Sequence, residues 1–186
     1  MSKVKKTLLP EDYSGIDPVT LEVARLRGIF VDTYFSEWMT DPTGVLNLTD
    51  AYIIMAEQFP REREKNAEDT IHRIEMLLKW WLNMGMKAAA VQQIVYSETD
   101  GIAGTFDLAT EDLILDLKCV SKLQPNYGLQ LGAYSVMDPQ AFPLRDVGII
   151  HVTKDKVKLV KYKTRQCRDQ WKACLGWYKT LSELNV

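Results

Sequence analysis

Residues 102–120 constrain this chain more than any other stretch. Two apolar segments, Ile102–Ala109 and Leu113–Val120, stand on either side of the short polar break Thr110–Asp112. That pattern predicts a β-hairpin. A loop of Glu111 and Asp112, or one running from Thr110 to Leu113, gives the same pairing. In that register Asp107 lies across from Asp116 and Thr105 across from Lys118, with opposed Cβ atoms about 4.5–5.5 Å apart. Two facing carboxylates repel unless a cation sits between them. Side chains alternate along a strand, so Asp116 and Lys118 share a face while Leu115 and Leu117 point into a core. The hairpin thus gathers two acids and a lysine around one point, the donor set of a divalent-metal site. A surface charge pair would explain Asp116 and Lys118, but not an acid at position 107.

The remaining composition is permissive. A chain of 186 residues with 46% apolar content suits a single domain with its own core. No apolar run approaches the roughly 18 residues of a membrane helix, and Ser2–Lys6 leads into no signal-peptide core, so the expected location is the cytoplasm with no membrane partner. Cys119, Cys167 and Cys174 are odd in number and form no C-x-x-C pair, which argues against disulfides and a structural zinc. The net charge of −2 hides an asymmetry. Lys154, Lys156, Lys158, Lys161, Lys163, Arg165, Arg168 and Lys172 face only Asp155 and Asp169 in their stretch, a local +6 that leaves −8 for the rest. Such a segment fits a phosphate-binding face; it fits equally an edge strand protected by lysines.

Read in order, residues 1–16 form a loosely held arm, and 17–186 form one domain, helical to residue 85 and sheet-based from 86. Asp17 as N-cap and Pro18 at the first helical position start a helix. Its inward stripe is Val19, Val23, Leu26, Phe30 and Tyr34, and Asp41–Gly44 ends it. A second helix spans Thr49–Gln58. After a charged connector, Arg61–Glu64, a third runs over Ala67–Asn83 with Ile71, Ile74, Leu77, Leu78 and Trp81 inward and Gly85 as its cap. Trp80, next to Trp81, must then be partly exposed. Lys87–Ser97 reads as the first strand and the hairpin supplies the next two. Pro125–Met137 is a helix carrying Tyr127, Gln130 and Tyr134 along one face. Strands at Asp146–Val152 and Lys156–Lys163 follow, the second with a slip at Leu159–Val160 that reads as a bulge. A last helix covers Thr164–Leu184. His72 and His151 have no partner spacing and read as structural. Periodicity alone specifies α/β or α+β with an antiparallel hairpin.

Three motifs add to this. Gly104-Thr105-Phe106-Asp107, then Ile114-Leu115-Asp116-Leu117-Lys118, then Gln130-Leu131-Gly132-Ala133-Tyr134 together resemble the PD-(D/E)XK nuclease superfamily, in its RecB-like exonuclease branch of phage or mobile-element type. The resemblance covers roughly Gly28 to Val160. It implies a restriction-endonuclease-like fold: a central mixed sheet of about five strands flanked by helices, with an N-terminal helical addition. It also implies a Mg²⁺- or Mn²⁺-dependent deoxyribonuclease acting at DNA ends in recombination, repair or genome processing, working in the host cytoplasm if viral. A structure- or strand-specific endonuclease is a rival within the superfamily; a non-catalytic DNA-binding module is a rival of another class.

By this resemblance Asp107, Asp116 and Lys118 are the catalytic set. Asp107, Asp116 and the carbonyl of Leu117 would hold the metal, and Lys118 would orient the attacking water or stabilise the charged phosphate. Glu98 stands where relatives carry a further acid; it would bind metal directly or through water, or simply begin a loop. Arg27-Gly28-Ile29-Phe30-Val31-Asp32 resembles the branch's R-G-x-x-apolar-His motif, with Asp32 in the histidine's place. A carboxylate there still suits Mg²⁺, so Asp32 joins the candidate ligands. Gln130, Tyr134, Tyr127 and Thr105 would contact substrate, and Lys158, Lys161 and Lys163 its phosphates. Related CRISPR-associated nucleases hold an iron–sulfur cluster on four cysteines; with three, no cluster is expected. No G-x-x-x-x-G-K-[ST] motif is present, so the chain would find DNA ends unaided or through a recombination partner protein.

Overall fold

The structure, a computed structural model, describes residues 15–138 and 145–183. Most of the expected N-terminal arm and the very end of the last helix lie outside these residues. Helix α1 spans Pro18–Thr40. Asp17 caps it as expected, its carboxylate accepting hydrogen bonds from the amides of Val19 and Thr20 at 3.4 and 3.0 Å, which satisfies first-turn donors that have no helical partner. Val23 and Tyr34 are buried, and Leu26 and Phe30 pack at the core's edge. Val19 is exposed. Val31 and Phe35, which the stripe omits, are among the most deeply buried side chains of this helix.

Helix α2 covers Leu48–Gln58, capped by Asn47. Helix α3 covers Arg63–Met84 and ends at Gly85, whose φ of 62° is the left-handed conformation glycine adopts without strain. It begins four residues before the expected Ala67, so the charged connector shrinks to Arg61 and Glu62. Its first turn carries exposed Arg63, Glu64 and Lys65, and apolar periodicity cannot report a turn that faces solvent. Trp81 is buried and Trp80 half-buried, as the sequence required.

Five strands follow: β1 Ala90–Ser97, β2 Ile102–Ala109, β3 Leu113–Cys119, β4 Asp146–Val152 and β5 Val157–Tyr162. They form one sheet in the order β1-β2-β3-β4-β5. All neighbours are antiparallel except β3 and β4, which are parallel and are joined by a crossover containing helix α4, Tyr127–Met137. Helix α5, Thr164–Glu183, is the last described element. The fold is therefore an α+β arrangement: a mixed five-stranded sheet flanked by helices, with a helical region before it.

Helices α1 to α3 cover one face of the sheet over Leu113, Leu115, Leu117, Ile150 and Val152. Helices α4 and α5 cover the other over Phe106, Ile114, Val147 and Ile149, with Leu131 and Trp171 in the same cluster. At Gly132 of α4 an added Cβ would lie 2.1 Å from the carbonyl oxygen of Cys167 in α5, so only glycine lets these helices meet that closely. The expected bulge in β5 is absent: Val157–Tyr162 pairs without interruption against Val152–Val147. Leu159 and Val160 are adjacent yet both partly covered, because an apolar residue on either side of this strand finds a helix layer. Among the described residues no helix is long and apolar enough to cross a membrane.

Candidate active site

The β2–β3 hairpin closes as the sequence predicts, then opens early. Its turn is fixed by a hydrogen bond from the Thr110 amide to the Leu113 carbonyl, 2.8 Å. Ala109 pairs with Ile114 and Leu108 with Leu115, which is the expected register, but no further backbone pairs form. In the next position the carboxylate of Asp107 replaces the ladder, its Oδ2 accepting a hydrogen bond from the Leu117 amide at 2.6 Å. A side chain that takes a neighbouring strand's N–H lies close to the sheet plane. Asp107 thus sits in a split between β2 and β3, within the Coulomb field of Asp116, Asp32 and Lys118.

On β3, Asp116 is buried and its Oδ2 lies 2.5 Å from the Lys118 ammonium. Gln130 of α4 donates through Nε2 to Asp116 Oδ1 at 2.9 Å and to the Tyr134 hydroxyl at 2.8 Å. Gln130 and Tyr134 are one helical turn apart, so both face the split. Tyr127, in the first turn of α4, places its ring 5.3 Å from the Lys118 nitrogen, within range of a cation–π contact. Tyr134 is further set by an edge-on contact with Phe106.

Asp32 reaches the same place from α1, and two residues that the sequence did not single out hold it there. Gln92 Nε2 donates to Ser36 Oγ at 2.9 Å and to the two Asp32 oxygens at 3.3 and 3.5 Å. No sequence signal marks Gln92, which reads as one outward residue of a strand. Asp32, Asp107, Asp116, Lys118, Gln130, Tyr134 and Tyr127 are therefore brought together.

The other expected site residues are not. Glu98 lies in the β1–β2 turn, about 17 Å along the strand from Asp107 at some 3.4 Å per residue. Thr105 is exposed and pairs with Ile94 of β1, not with β3, because the hairpin has already split. Lys158 and Lys161 are exposed on edge strand β5, and Lys163 just beyond it. Lys158 and Lys161 are three positions apart, so they point to opposite faces of the sheet.

The electrostatics follow from burial and from like charge. Burial, reinforced by Asp116 and then Asp32, pushes the Asp107 carboxyl well above its ordinary range, against the opposing pull of Lys118 and the Leu117 amide. Burial and Asp116 likewise raise Asp32. For Lys118 burial pulls downward, but the ion pair and hydrogen bond to Asp116, with Asp107 behind them, more than offset it and leave the ammonium strengthened. Burial and the Asp116 charge raise the Tyr134 hydroxyl to about 12, so it is a neutral hydrogen-bonding group at physiological pH.

These donors are all hard oxygens, the type that suits Mg²⁺ or Mn²⁺. Among the described residues no three His, Cys, Asp or Glu side chains converge tightly enough to hold an ion between them. Mg²⁺ does not require that: it is commonly held by one or two carboxylates and keeps several waters. Asp107, Asp116 and the Leu117 carbonyl are the groups that could hold such an ion, and a divalent cation would relieve the repulsion stored among them.

Beside the split a groove of about 1070 Å³ runs past the C-terminal ends of parallel strands β3 and β4, the usual ligand position in sheets of this kind. Tyr127 forms its wall on the split side. Arg25, Arg27, Arg73, Lys122, Lys154 and Lys156 line it against Glu22 and Asp155. Arg27 and Arg73 share one carboxylate, Asp69, at 2.8 and 3.0 Å. The chain's basic character at a concave surface is collected here, by residues far apart in sequence.

No protein-family model matches the chain, and no curated protein matches it. Among solved structures it is similar to a crystal structure from Eubacterium rectale named "Putative exonuclease", with a TM-score of 0.57 and 15% sequence identity. The match covers 80% of this chain and 64% of that one, so this chain spans less than two thirds of its neighbour's length. At this identity the likeness is one of fold.

Proposed function

We propose that the chain is a metal-dependent nuclease of the PD-(D/E)XK type that hydrolyses phosphodiester bonds at DNA ends. The observation that carries this reading is the convergence of Asp107, Asp116 and Lys118 at a split in the sheet, with Gln130 and Tyr134 bracing it from α4. A ladder broken to seat a half-buried carboxylate among two other acids is poor design for a scaffold. It suits a site whose charge is completed by something that binds.

Phosphodiester cleavage needs an aligned water, neutralised phosphate charge and help for the leaving oxygen. A Mg²⁺ or Mn²⁺ ion on Asp107 and Asp116 would supply Lewis acidity. Lys118, paired with Asp116 at the split, would orient the attacking water or stabilise the charge on the phosphate. Gln130 fixes Asp116 and ties it to Tyr134. The basic groove would receive the phosphates of the strand leading to the split, and binding there should weaken as salt rises.

The test uses purified protein with Mg²⁺ or Mn²⁺, end-labelled linear DNA and covalently closed circular DNA, and D116A as the control. Loss of label from linear DNA with the circle intact supports the exonuclease. Nicking of the circle transfers the same site to an endonuclease. A D116A variant as fast as the parent overturns the assignment.

A further inference from the structure

We propose that Gln92 is the positioning residue for Asp32, and that the left-handed backbone at Gln92 is what aims it; this rests on the nuclease reading of the split. Gln92 has φ 48°, a conformation that non-glycine residues avoid. Among the described residues only Glu62 shares it outside glycine, and Glu62 stands in a connector just before α3. Gln92 instead stands inside a strand, where such a residue interrupts pairing. The interruption is local: Val91 pairs with Leu108 and Gln93 with Phe106, but no pair forms between Gln92 and Asp107.

The break has a consequence for the side chains. Val91 packs with the core under α1–α3, whereas Val95 lies in the core under α4 and α5. Regular alternation would put these two on one face. Leu108 and Phe106 divide in the same way across the partner strand. Both strands therefore reverse their faces at the level of Gln92 and Asp107. That reversal places the Asp107 carboxylate in the split and sends the Gln92 side chain toward α1, where it grips Asp32 and Ser36.

Asp32 needs a grip. It stands in the field of Asp116, and Asp107 in turn feels its charge, so repulsion would otherwise turn it outward. A primary amide donates hydrogen bonds without adding charge. Gln92 thereby keeps a third acid beside the two that would hold the ion, as an outer-sphere group that orders the ion's waters.

The test reads Mn²⁺-induced stabilisation against thermal unfolding, with the metal alone as ligand. Q92G removes the amide and relieves the backbone, while Q92A removes the amide and keeps the unfavourable φ. Both are expected to need about tenfold more Mn²⁺ for half of the stabilisation, the usual scale for losing an outer-sphere partner. Without metal, Q92G should melt higher than Q92A. In a D32A background Q92G should add nothing. A Q92G response at wild-type Mn²⁺, or an equal loss with and without Asp32, overturns the assignment of Gln92. The metal site on which the nuclease reading depends is judged separately by D116N: loss of the Mn²⁺ response shown by the wild type keeps that site whatever Gln92 does, and an unchanged response overturns it. A wild-type chain with no response contradicts both.

Discussion

The two ends of the β2–β3 hairpin are built from the same strands to opposite ends. At the closed end backbone pairs with backbone, and the turn is braced from outside. Arg145 donates to the Glu111 carbonyl at 3.1 Å and pairs with buried Asp138 at 3.3 Å, while the Asp146 amide bonds to the Asp112 carbonyl at 2.8 Å. At the open end a carboxylate stands in for the ladder, and acids are held together against repulsion. At the closed end the Glu111 and Asp112 carbonyls have internal partners; at the open end, in the proposed reading, the acids would take theirs from outside. The contrast locates stability and chemistry a few residues apart on one element. It also explains why β3 pairs with β4 along its whole length, Leu113 to Cys119: with one side of the strand given up to the site, the other must hold it.

That contrast can be broken from either end. The largest effect should come from D116A, which removes the anchor shared by Lys118 and Gln130. Cleavage by a metal-dependent site should fall on the order of a thousandfold, as several kcal/mol of charge stabilisation are lost, while the protein stays folded; rate and circular dichroism measured together check this. R145A should do the reverse. It takes a cation from buried Asp138 and a donor from the Glu111 carbonyl, a kind of loss that costs up to about 3–5 kcal/mol in buried pairs, yet cleavage per folded molecule should hardly move. Urea unfolding with activity normalised to the folded fraction separates the two.

A pH series sharpens the comparison. Asp107 and Asp32 have folded-state affinities for protons raised above those of the unfolded chain. Their contribution to stability is therefore complete below the ordinary carboxylate range and is lost as pH climbs through the raised folded values. The metal-free melting temperature should fall across that window, and Mn²⁺ should reduce the fall. D107N, which keeps an acceptor for the Leu117 amide and removes a charge, should flatten the profile and melt higher than the parent without metal. The smallest effect belongs to the groove. K154A and K156A should each lower the slope of log affinity against log salt by about 0.9 for double-stranded DNA and leave the rate at saturation unchanged.

Much of this was legible in the sequence, for physical reasons. Alternating apolar residues around Thr110–Asp112 set the hairpin and its register, because a one-residue slip would turn Leu115 and Leu117 out of the core. Asp17-Pro18 and Gly85 marked helix ends through the backbone groups they satisfy. Asp107, Asp116 and Lys118 stood out through the hairpin register, and Gln130 and Tyr134 through the resemblance of their motif. What stayed hidden was whatever depended on departure from regular geometry. The split after Leu108 removed Thr105 from the site, and the backbone reversal at Gln92 added Gln92 and Ser36 to it; neither leaves a periodic trace. The groove was hidden for another reason: Arg27, Arg73 and Lys122 belong to different elements, so a charge count along the chain pointed to the edge strand instead.

In the proposed reading the open end of the hairpin holds a divalent cation. Crystals grown with Mn²⁺ and measured for anomalous scattering test it directly. A peak is expected between the carboxylates of Asp107 and Asp116, within reach of the Leu117 carbonyl. A fully ordered split with no peak there, at Mn²⁺ concentrations that support DNA cleavage, would contradict it.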